Sequence, residues 1–336
     1  MIRGVRRPSV ALATSADWPD LAPDDRLIAP ALARAGVDAQ VVIWTDQSIA
    51  WDRFDLIVVR SCWDYHNDLP RWLAFIDRVD SSNTTNPSQD PDGHHRGARL
   101  WNPTPALRWN ARKTYLADLA ARGVPVVPTA WIEVSDLSSW LALEAALQAA
   151  PWEDLVLKPA VSAGALGTFH LRRALLSSYE TAVTRSLSEL ARRGPVLVQP
   201  FLSAITAEGE WSLVFFGGHL SHAVLKRPAA GDFRVQEKHG GSTSSAVPPS
   251  DLVRVAEQAL SAASDAISGS AAVPAAFDAG SPFLYARVDL VIADGNPVLI
   301  ELELIEPALF LGTDNGAADR FADAVLSRVS SSPPPA

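Results

Sequence analysis

The stretch Arg287-Val288-Asp289-Leu290-Val291-Ile292-Ala293-Asp294-Gly295-Asn296-Pro297-Val298-Leu299-Ile300-Glu301-Leu302-Glu303 reads as two apolar strands around a turn, with an arginine and three acids at alternating positions. Residues two apart in a strand point to one side of the sheet, so Arg287 and Asp289 share a face, as do Glu301 and Glu303. A hairpin folded about Gly295 sets Asp289 opposite Glu301 and Arg287 opposite Glu303, gathering all four on one face. The other face then reads Val288, Leu290, Ile292, Ile300, Leu302 and Leu304, a core surface. Three carboxylates on a half-buried sheet repel one another unless a cation lies among them, because unpaired charge is costly to remove from water. A divalent metal answers that need, and an oxygen-only donor set suits Mg²⁺ or Mn²⁺. The alternative is a solvated face on which Arg287 pairs with Glu303.

Composition narrows the class of protein in which such a face would sit. With 336 residues, 48% of them hydrophobic and 20% charged, the chain is long enough for two or three packed domains. A single cysteine, Cys62, excludes an internal disulfide and a multi-cysteine zinc site, and reads as a core or pocket-wall residue. The net charge of -9 argues against a nucleic-acid-binding surface and fits a cytoplasmic enzyme whose anionic substrate arrives with metal. No apolar run is long enough to span a membrane, and the basic start reads as a lead-in to the first strand rather than a signal peptide.

Residues 1–101 alternate strand and helix as a small parallel α/β domain does: strands at 9–14, 39–44 and 55–60, helices at 24–35 and 68–79. Residues 81–99 are turn formers without periodicity and read as a loop, which would leave the adjacent His94 and His95 without fixed metal geometry. A second block, 102–195, carries helices at 111–122, 135–149 and 177–192 and strands at 126–132 and 154–159. A third, 196–330, carries strands at 196–201, 211–216 and 219–226, a helix at 249–267, a small-residue loop at 268–282, the acidic hairpin and a last helix at 317–328. Residues 331–336 read as a disordered tail.

Three further segments have the composition of a nucleotide site. Lys158 ends a buried strand and is followed by Pro-Ala-Val-Ser162-Ala-Gly164, a loop small enough for backbone N–H groups to approach phosphate oxygens; a lysine simply reaching solvent is the alternative. Gln199-Pro200-Phe201-Leu202 closes an apolar strand where the proline interrupts the ladder, leaving backbone groups that could meet an adenine edge. Glu208 and Glu210 follow, able to accept from ribose hydroxyls. Lys226, Arg227 and Arg234 form a cationic stretch on a loop, suited to neutralising phosphate, or else a solvated loop; His239 and the glycines after it suggest a lid.

A lysine on a helix (Lys113), Lys158 before its Gly-bearing loop, the 199–202 strand end, and Arg-x-Asp with Glu-x-Glu occur here in the order that resembles the ATP-grasp carboxylate-amine ligases. The metal-binding segment resembles that of D-alanine:D-alanine ligases and bacterial glutathione synthetases, except that Glu303 stands where those typically carry Asn. The blocks around Arg60-Ser-Cys-Trp-Asp64-Tyr65, Arg108 to Lys113 and Glu301 to Phe310 are similar to the D-cycloserine-forming cyclo-ligases of antibiotic biosynthesis, which act on O-ureido-D-serine. The resemblance implies an ATP-grasp fold, α/β overall, with the N-terminal domain followed by two α+β subdomains clamping ATP. It also implies Lys113 and Lys158 at ATP phosphates, with Ser162 and Gly164 in the phosphate loop. Gln199, Pro200, Phe201 and Leu202 would lie at adenine and Glu210 near ribose. Mg²⁺ or Mn²⁺ would sit on Asp289, Glu301 and Glu303, with Arg287, Arg234 and Lys226 at the transferred phosphoryl group.

For the partner, the expectation is a small amino-acid-like substrate, with Arg60 and Asp64 taking its carboxylate and amine at the end of a first-domain strand. An Arg60–Asp64 ion pair is the competing reading. The oligomeric state, homo-oligomer included, stays open. A ligase joining two separate substrates, a nucleotide-binding protein without turnover and a two-carboxylate hydrolase are the alternative functions.

Overall fold

The computed structural model describes residues 6–85, 88–89, 95–96, 99–229, 234–235, 240–268 and 282–330. His94, His239, the stretch 269–281 and the tail 331–336 lie outside them.

Runs of Val, Leu, Ala and Ile with no polar alternation require cover on both faces, and they form a parallel sheet. Its strands are β1 (Ser9–Thr14), β2 (Asp38–Ile43) and β3 (Leu56–Val59), with a short ladder of β4 (Ser88–Gln89) and β5 (His95–Arg96) intervening before β6 (Arg99–Trp101). The order is β2-β1-β3-β6, every pair parallel. Alternate residues of β1 enter different cores. Ala11 and Ala13 meet Trp72, Phe75, Ile76 and Val79 of the helix Leu69–Thr85. Val10 and Leu12 meet Ile28 and Leu32, and beyond them Phe216, Tyr285 and Phe321 from the C-terminal third of the chain.

The second sheet comprises β7 (Ala130–Ile132), β8 (Asp154–Pro159), β9 (Phe169–Arg172) and β10 (Val196–Pro200), antiparallel in the order β7-β10-β8-β9. The third is also antiparallel: β11 (Glu210–Phe216), β12 (His219–Arg227), β13 (Ser242–Ser245), β14 (Tyr285–Ala293) and β15 (Asn296–Glu303), in the order β13-β12-β11-β14-β15. One of its faces, through Leu213, Phe215, Val288 and Leu302, packs on the amphipathic helix Ser250–Ser268 and on Tyr115, Leu116 and Leu119.

Several elements differ from the sequence reading for identifiable reasons. The helix expected to stop at Val79 runs to Thr85, and part of the supposed 81–99 loop pairs as β4 with β5. The helix expected at 111–122 is two, Thr104–Asn110 and Tyr115–Ala121, because the Lys113 N–H is donated to the Ala160 carbonyl at 2.8 Å instead of continuing a helical ladder. Pro128 precedes β7, which is confined to Ala130–Ile132, while Val126 makes a lone bridge to Leu299. The helix expected at 135–149 begins as a separate turn, Val134–Leu137, and restarts at Trp140, where Ser139 Oγ accepts the Ala142 N–H at 3.2 Å. The helix expected at 177–192 is split after Thr184. The polar strand β13, Ser-Thr-Ser-Ser, carried no apolar alternation to reveal it, and β9, Phe-His-Leu-Arg, alternates over only four residues.

Candidate active site

The hairpin turns on Asp294 (φ +50°) and Gly295 (φ +76°), with Ala293 opposite Asn296, the left-handed pair of a two-residue type I′ turn. A regular ladder from that turn would place Ile300, not Glu301, opposite Asp289. The pairing instead steps from Leu290↔Leu299 to Asp289↔Glu301, leaving Ile300 as the extra residue of a β-bulge. The bulge is what gathers the charged residues on one face, with Arg287 opposite Glu303. It also corrects the expected core face: Leu299 is fully buried and Ile300 only half-buried.

β15 is a sheet edge, and the segment 102–127 covers it. Asn110 Nδ2 donates to Leu302 O (2.8 Å) and its Oδ1 accepts from Leu304 N (2.8 Å), while Tyr115 Oη accepts from Leu302 N (3.0 Å). Asn102 Nδ2 reaches Leu304 O at 2.7 Å and Tyr285 O at 2.8 Å. Farther along, Leu299 N donates to Pro125 O and Val127 N to Leu299 O. This cover satisfies the edge and delivers Lys113, between the two helices, to the acidic face.

There Lys113 Nζ donates to Glu301 and, at 3.3 Å, to the Ser162 carbonyl, tying the hairpin to the loop after β8. Arg287 grips Asp289 with Nε (3.0 Å) and Nη2 (2.9 Å), donates through Nη2 to Glu303, and sends Nη1 to Ala308 O (3.2 Å). Lys226, expected to end the strand 219–226 and open a cationic loop, is buried within β12, where it bonds Glu210 and lies 3.5 Å from Asp289; Ser212 Oγ also donates to Asp289. Arg287 is thus the partner of Glu303 and Asp289 together. Glu210 faces Lys226, the residue opposite it in the ladder.

The electrostatics follow this wiring. Burial works against the Asp289 carboxylate, but Arg287 and Lys226 outweigh it and hold its pKa down at about 2. Burial dominates at Glu303, helped by Glu301 and Asp289, and lifts it to about 7 despite Arg287. Glu301 ends below the ordinary range because Lys113 and Lys158 offset its burial. Lys158 is half-buried, and burial depresses its pKa.

The donor set fits a hard divalent cation. One carboxylate oxygen from each of Asp289, Glu301 and Glu303 lies within 4.8 Å of the others, and opposite oxygens around Mg²⁺ stand about 4.1 Å apart, so small rotations suffice. Glu301 and Glu303, about a quarter exposed, have lone pairs to give. Asp289 already accepts from three residues and would have to release a donor.

The other sequence candidates fall in two groups. Ser162 is buried beside Lys113, and Gly164 lines a cavity of about 570 Å³ with Thr168, Phe169, Arg193 and Arg234, so the phosphate-loop candidate and Arg234 face one space. Gln199 does not present its side chain there: it is buried, with Nε2 bonded to Thr129 Oγ1 at 2.9 Å. Pro200 pairs with Leu155, Phe201 N bonds Asp154 O at 3.0 Å, and the Phe201 ring stacks on His170 with centroids 4.2 Å apart, ahead of half-buried Leu202. The ladder therefore continues past the proline.

Arg60 overturns its expectation. It is fully buried, donates to Asp25 (2.9 Å) and to Pro307 O (2.6 Å), and packs over Tyr285; its Nη1 has no hydrogen-bond partner but is buried as well, so the guanidinium presents no open face to a substrate carboxylate. Asp64 is not its partner either; it accepts from Trp44 Nε1 at 2.8 Å. Asp25, 35 residues away and the true partner, gave no local signal. Cys62 is a core residue, its thiol pushed well up by burial.

With this geometry in place, comparison with known proteins is decisive. The chain is 33% identical over 304 residues to the cycloserine biosynthesis protein DcsG of Streptomyces lavendulae, covering 88% of this chain and 90% of that one. It belongs to the DcsG family of ATP-grasp ligases. The family's N-terminal domain model, described as that of D-cycloserine synthetase DcsG, matches residues 10–86. The crystal structure of D-cycloserine synthetase DcsG superposes with a TM-score of 0.77 at 30% identity, covering 96% of this chain and all of that one. D-alanine–D-alanine ligase from Bacillus anthracis, at 12% identity, shares the fold alone, with a TM-score of 0.62 over 97% of each chain. As a DcsG-family member the protein is an ATP-dependent, C–N bond-forming ligase. Solved ATP-grasp proteins include a D-alanine–D-alanine ligase complexed with ATP and the ligase PsnB complexed with Mg and ADP. Among the described residues no helix is long and apolar enough to cross a membrane.

Proposed function

We propose that the protein is a cytoplasmic cyclo-ligase that closes an amino-acid-like substrate of the O-ureido-D-serine type to a D-cycloserine-type ring. The γ-phosphoryl group of ATP passes to the substrate carboxylate, giving an acyl phosphate and ADP. A nitrogen of the same molecule then attacks the acyl carbon: the C–N bond forms, the C–O bond to phosphate breaks, and the nitrogen gives up a proton. With O-ureido-D-serine the ring nitrogen still carries its carbamoyl group, which water removes as carbamic acid, giving CO2 and ammonia, to leave the D-cycloserine ring. Phosphoryl transfer asks chiefly for positioning and for neutralisation of charge on oxygen.

The observation that carries this reading is the convergence of Lys113, Lys226 and Arg287 on the carboxylates of Asp289, Glu301 and Glu303. Those acids would hold Mg²⁺, or Mn²⁺, which supplies charge neutralisation at phosphate oxygens when bound. Lys113 and Lys158 lie at the mouth of the small-residue loop, suited to binding ATP phosphates, with Ser162 and Gly164 contributing backbone. Arg287 and Arg234 supply positive charge at the transferred group, Lys226 keeps Glu210 and Asp289 in place, and residues 199–202 border the nucleotide through backbone.

The test is ADP release from wild type and Glu301→Gln with Mg²⁺ and candidate amino-acid analogues supplied singly, followed by product masses. ADP release stimulated by one substrate alone, with a product mass of internal ring closure and no turnover by the variant, is expected. A requirement for two amino acids would move the enzyme to the peptide-forming class, and an unchanged rate in Glu301→Gln would remove the metal assignment.

A further inference from the structure

Glu306, just beyond the hairpin, is 7% exposed, and among the described residues its carboxyl has no hydrogen-bond or ion-pair partner. Only its backbone is engaged, Glu306 O accepting from Trp63 Nε1 at 2.9 Å. A carboxyl so enclosed, with no partner among the described residues and its oxygens not wholly sealed from solvent, is open to a ligand or a chemical duty. Position narrows the choice. Trp63, in the loop after β3, bonds the Glu306 carbonyl, and the next two carbonyls accept from Arg60 Nη2 (Pro307 O, 2.6 Å) and Arg287 Nη1 (Ala308 O, 3.2 Å). It therefore stands where the loop after β3 meets the end of the acidic hairpin. The cations around it make their bonds elsewhere: Arg60 to Asp25 and Pro307 through Nε and Nη2, its buried Nη1 having no hydrogen-bond partner, Lys113 to Glu301, Arg287 to Asp289 and Glu303.

We propose that Glu306 receives the α-ammonium group of the substrate, making it a specificity-determining residue of the ligase. The assignment rests on the ligase reading above. In an α-amino acid the ammonium nitrogen is only two bonds from the carboxyl carbon, so whatever holds the ammonium must stand beside the group that activates the carboxylate. Glu306 does, three residues past Glu303 and directly before Pro307 and Ala308, whose carbonyls hold Arg60 and Arg287. Arg60, the sequence candidate for substrate recognition, is a fully buried cation and cannot bind an ammonium group. Tyr65 and Cys62 belong to the buried apolar cluster that also takes in Ile305, the residue before Glu306. Burial holds the carboxyl well above its ordinary range, and an arriving cation supplies the missing counter-charge.

The experiment compares wild type with Glu306→Gln, using O-ureido-D-serine and its analogue lacking the α-amine, with KM for ATP measured in parallel. Glutamine reproduces a neutral carboxyl in shape and polarity, so a purely structural role would leave its kinetics unchanged. The expected result is a KM for the amino substrate raised about 50-fold, as loss of one charged hydrogen bond gives, with KM for ATP and Tm unchanged. The wild-type preference for the α-amine should vanish in the variant. Substrate KM within threefold of wild type, or wild type that uses the des-amino analogue equally well, would overturn the assignment. The second of these needs no variant to fold. Absence of any substrate-dependent ADP release by wild type would overturn the ligase reading itself, and this assignment with it.

Discussion

Among the described residues stand two buried arginine–aspartate pairs, and they are built for different ends. Arg60 and Asp25 are sealed in the first sheet's carboxyl end, with side chains 0% and 3% exposed, Ser61 Oγ donating to Asp25 at 2.7 Å, Pro307 O accepting from Arg60 Nη2 and Arg60 Nη1 left without a hydrogen bond. Burial works against the Arg60 charge, but Asp25 and its neighbours outweigh that, so the arginine ends above its ordinary pKa. Arg287 and Asp289 are as deep, yet Glu301 and Glu303 on the same face are about a quarter exposed and one of them titrates near neutrality. A pair whose charges close on themselves organises the fold. A pair embedded in surplus, reachable acid can take up a cation. Exposure and surplus charge, not the presence of a buried ion pair, separate architecture from chemistry.

Breaking each region should therefore fail in a different observable. The largest effect is expected from Glu301→Gln, which should lower kcat by about a thousandfold or more, the scale of losing a centre that stabilises transferring charge, while shifting Tm little. Asp25→Asn should do the reverse: about 3–5 kcal/mol of stability lost, because a buried guanidinium keeps its charge without a counter-ion, and kinetics near normal in whatever fraction remains folded. Denaturant unfolding alongside steady-state rates separates the two. Asn110→Ala strips the edge of β15 of two bonds and should cost about 1–3 kcal/mol, with a further rise in KM for ATP as Lys113 loses its footing.

A pH series sharpens the contrast. Glu303 has a folded pKa raised from the ordinary 4.5 to about 7, so its contribution to stability is complete below 4.5 and is lost as pH rises through 7. In metal-free, nucleotide-free protein, Tm should fall between pH 5 and 8, and Glu303→Gln should flatten that fall. Added Mg²⁺ should restore stability at the alkaline end in wild type.

Much of this architecture was legible in the residues, and the gaps have physical causes. Strands β1 and β8 agree with the sequence reading residue for residue, because each is a short apolar run with clear ends. The acidic face was readable from period-two spacing and an Asp-Gly turn, yet the bulge at Ile300 that makes the face was not, since a bulge leaves the alternation almost untouched. Arg60 misled because an arginine at a strand end looks alike whether its partner is a ligand or an aspartate 35 residues earlier. Glu306 went unremarked among other acids; what distinguishes it is the lack of a partner, which only three dimensions reveal. Lys226 was placed at the end of a strand, but grouping it with Arg227 and Arg234 as loop cations hid that its place opposite Glu210 puts it inside the sheet.

The most direct measurement follows oxygen. Substrate labelled with ¹⁸O in its carboxylate should, after one turnover with ATP and Mg²⁺, deliver a single ¹⁸O to inorganic phosphate, because the carboxylate oxygen that attacked the γ-phosphorus leaves with it. Phosphate free of label beside normal product would contradict carboxylate phosphorylation at the acidic hairpin.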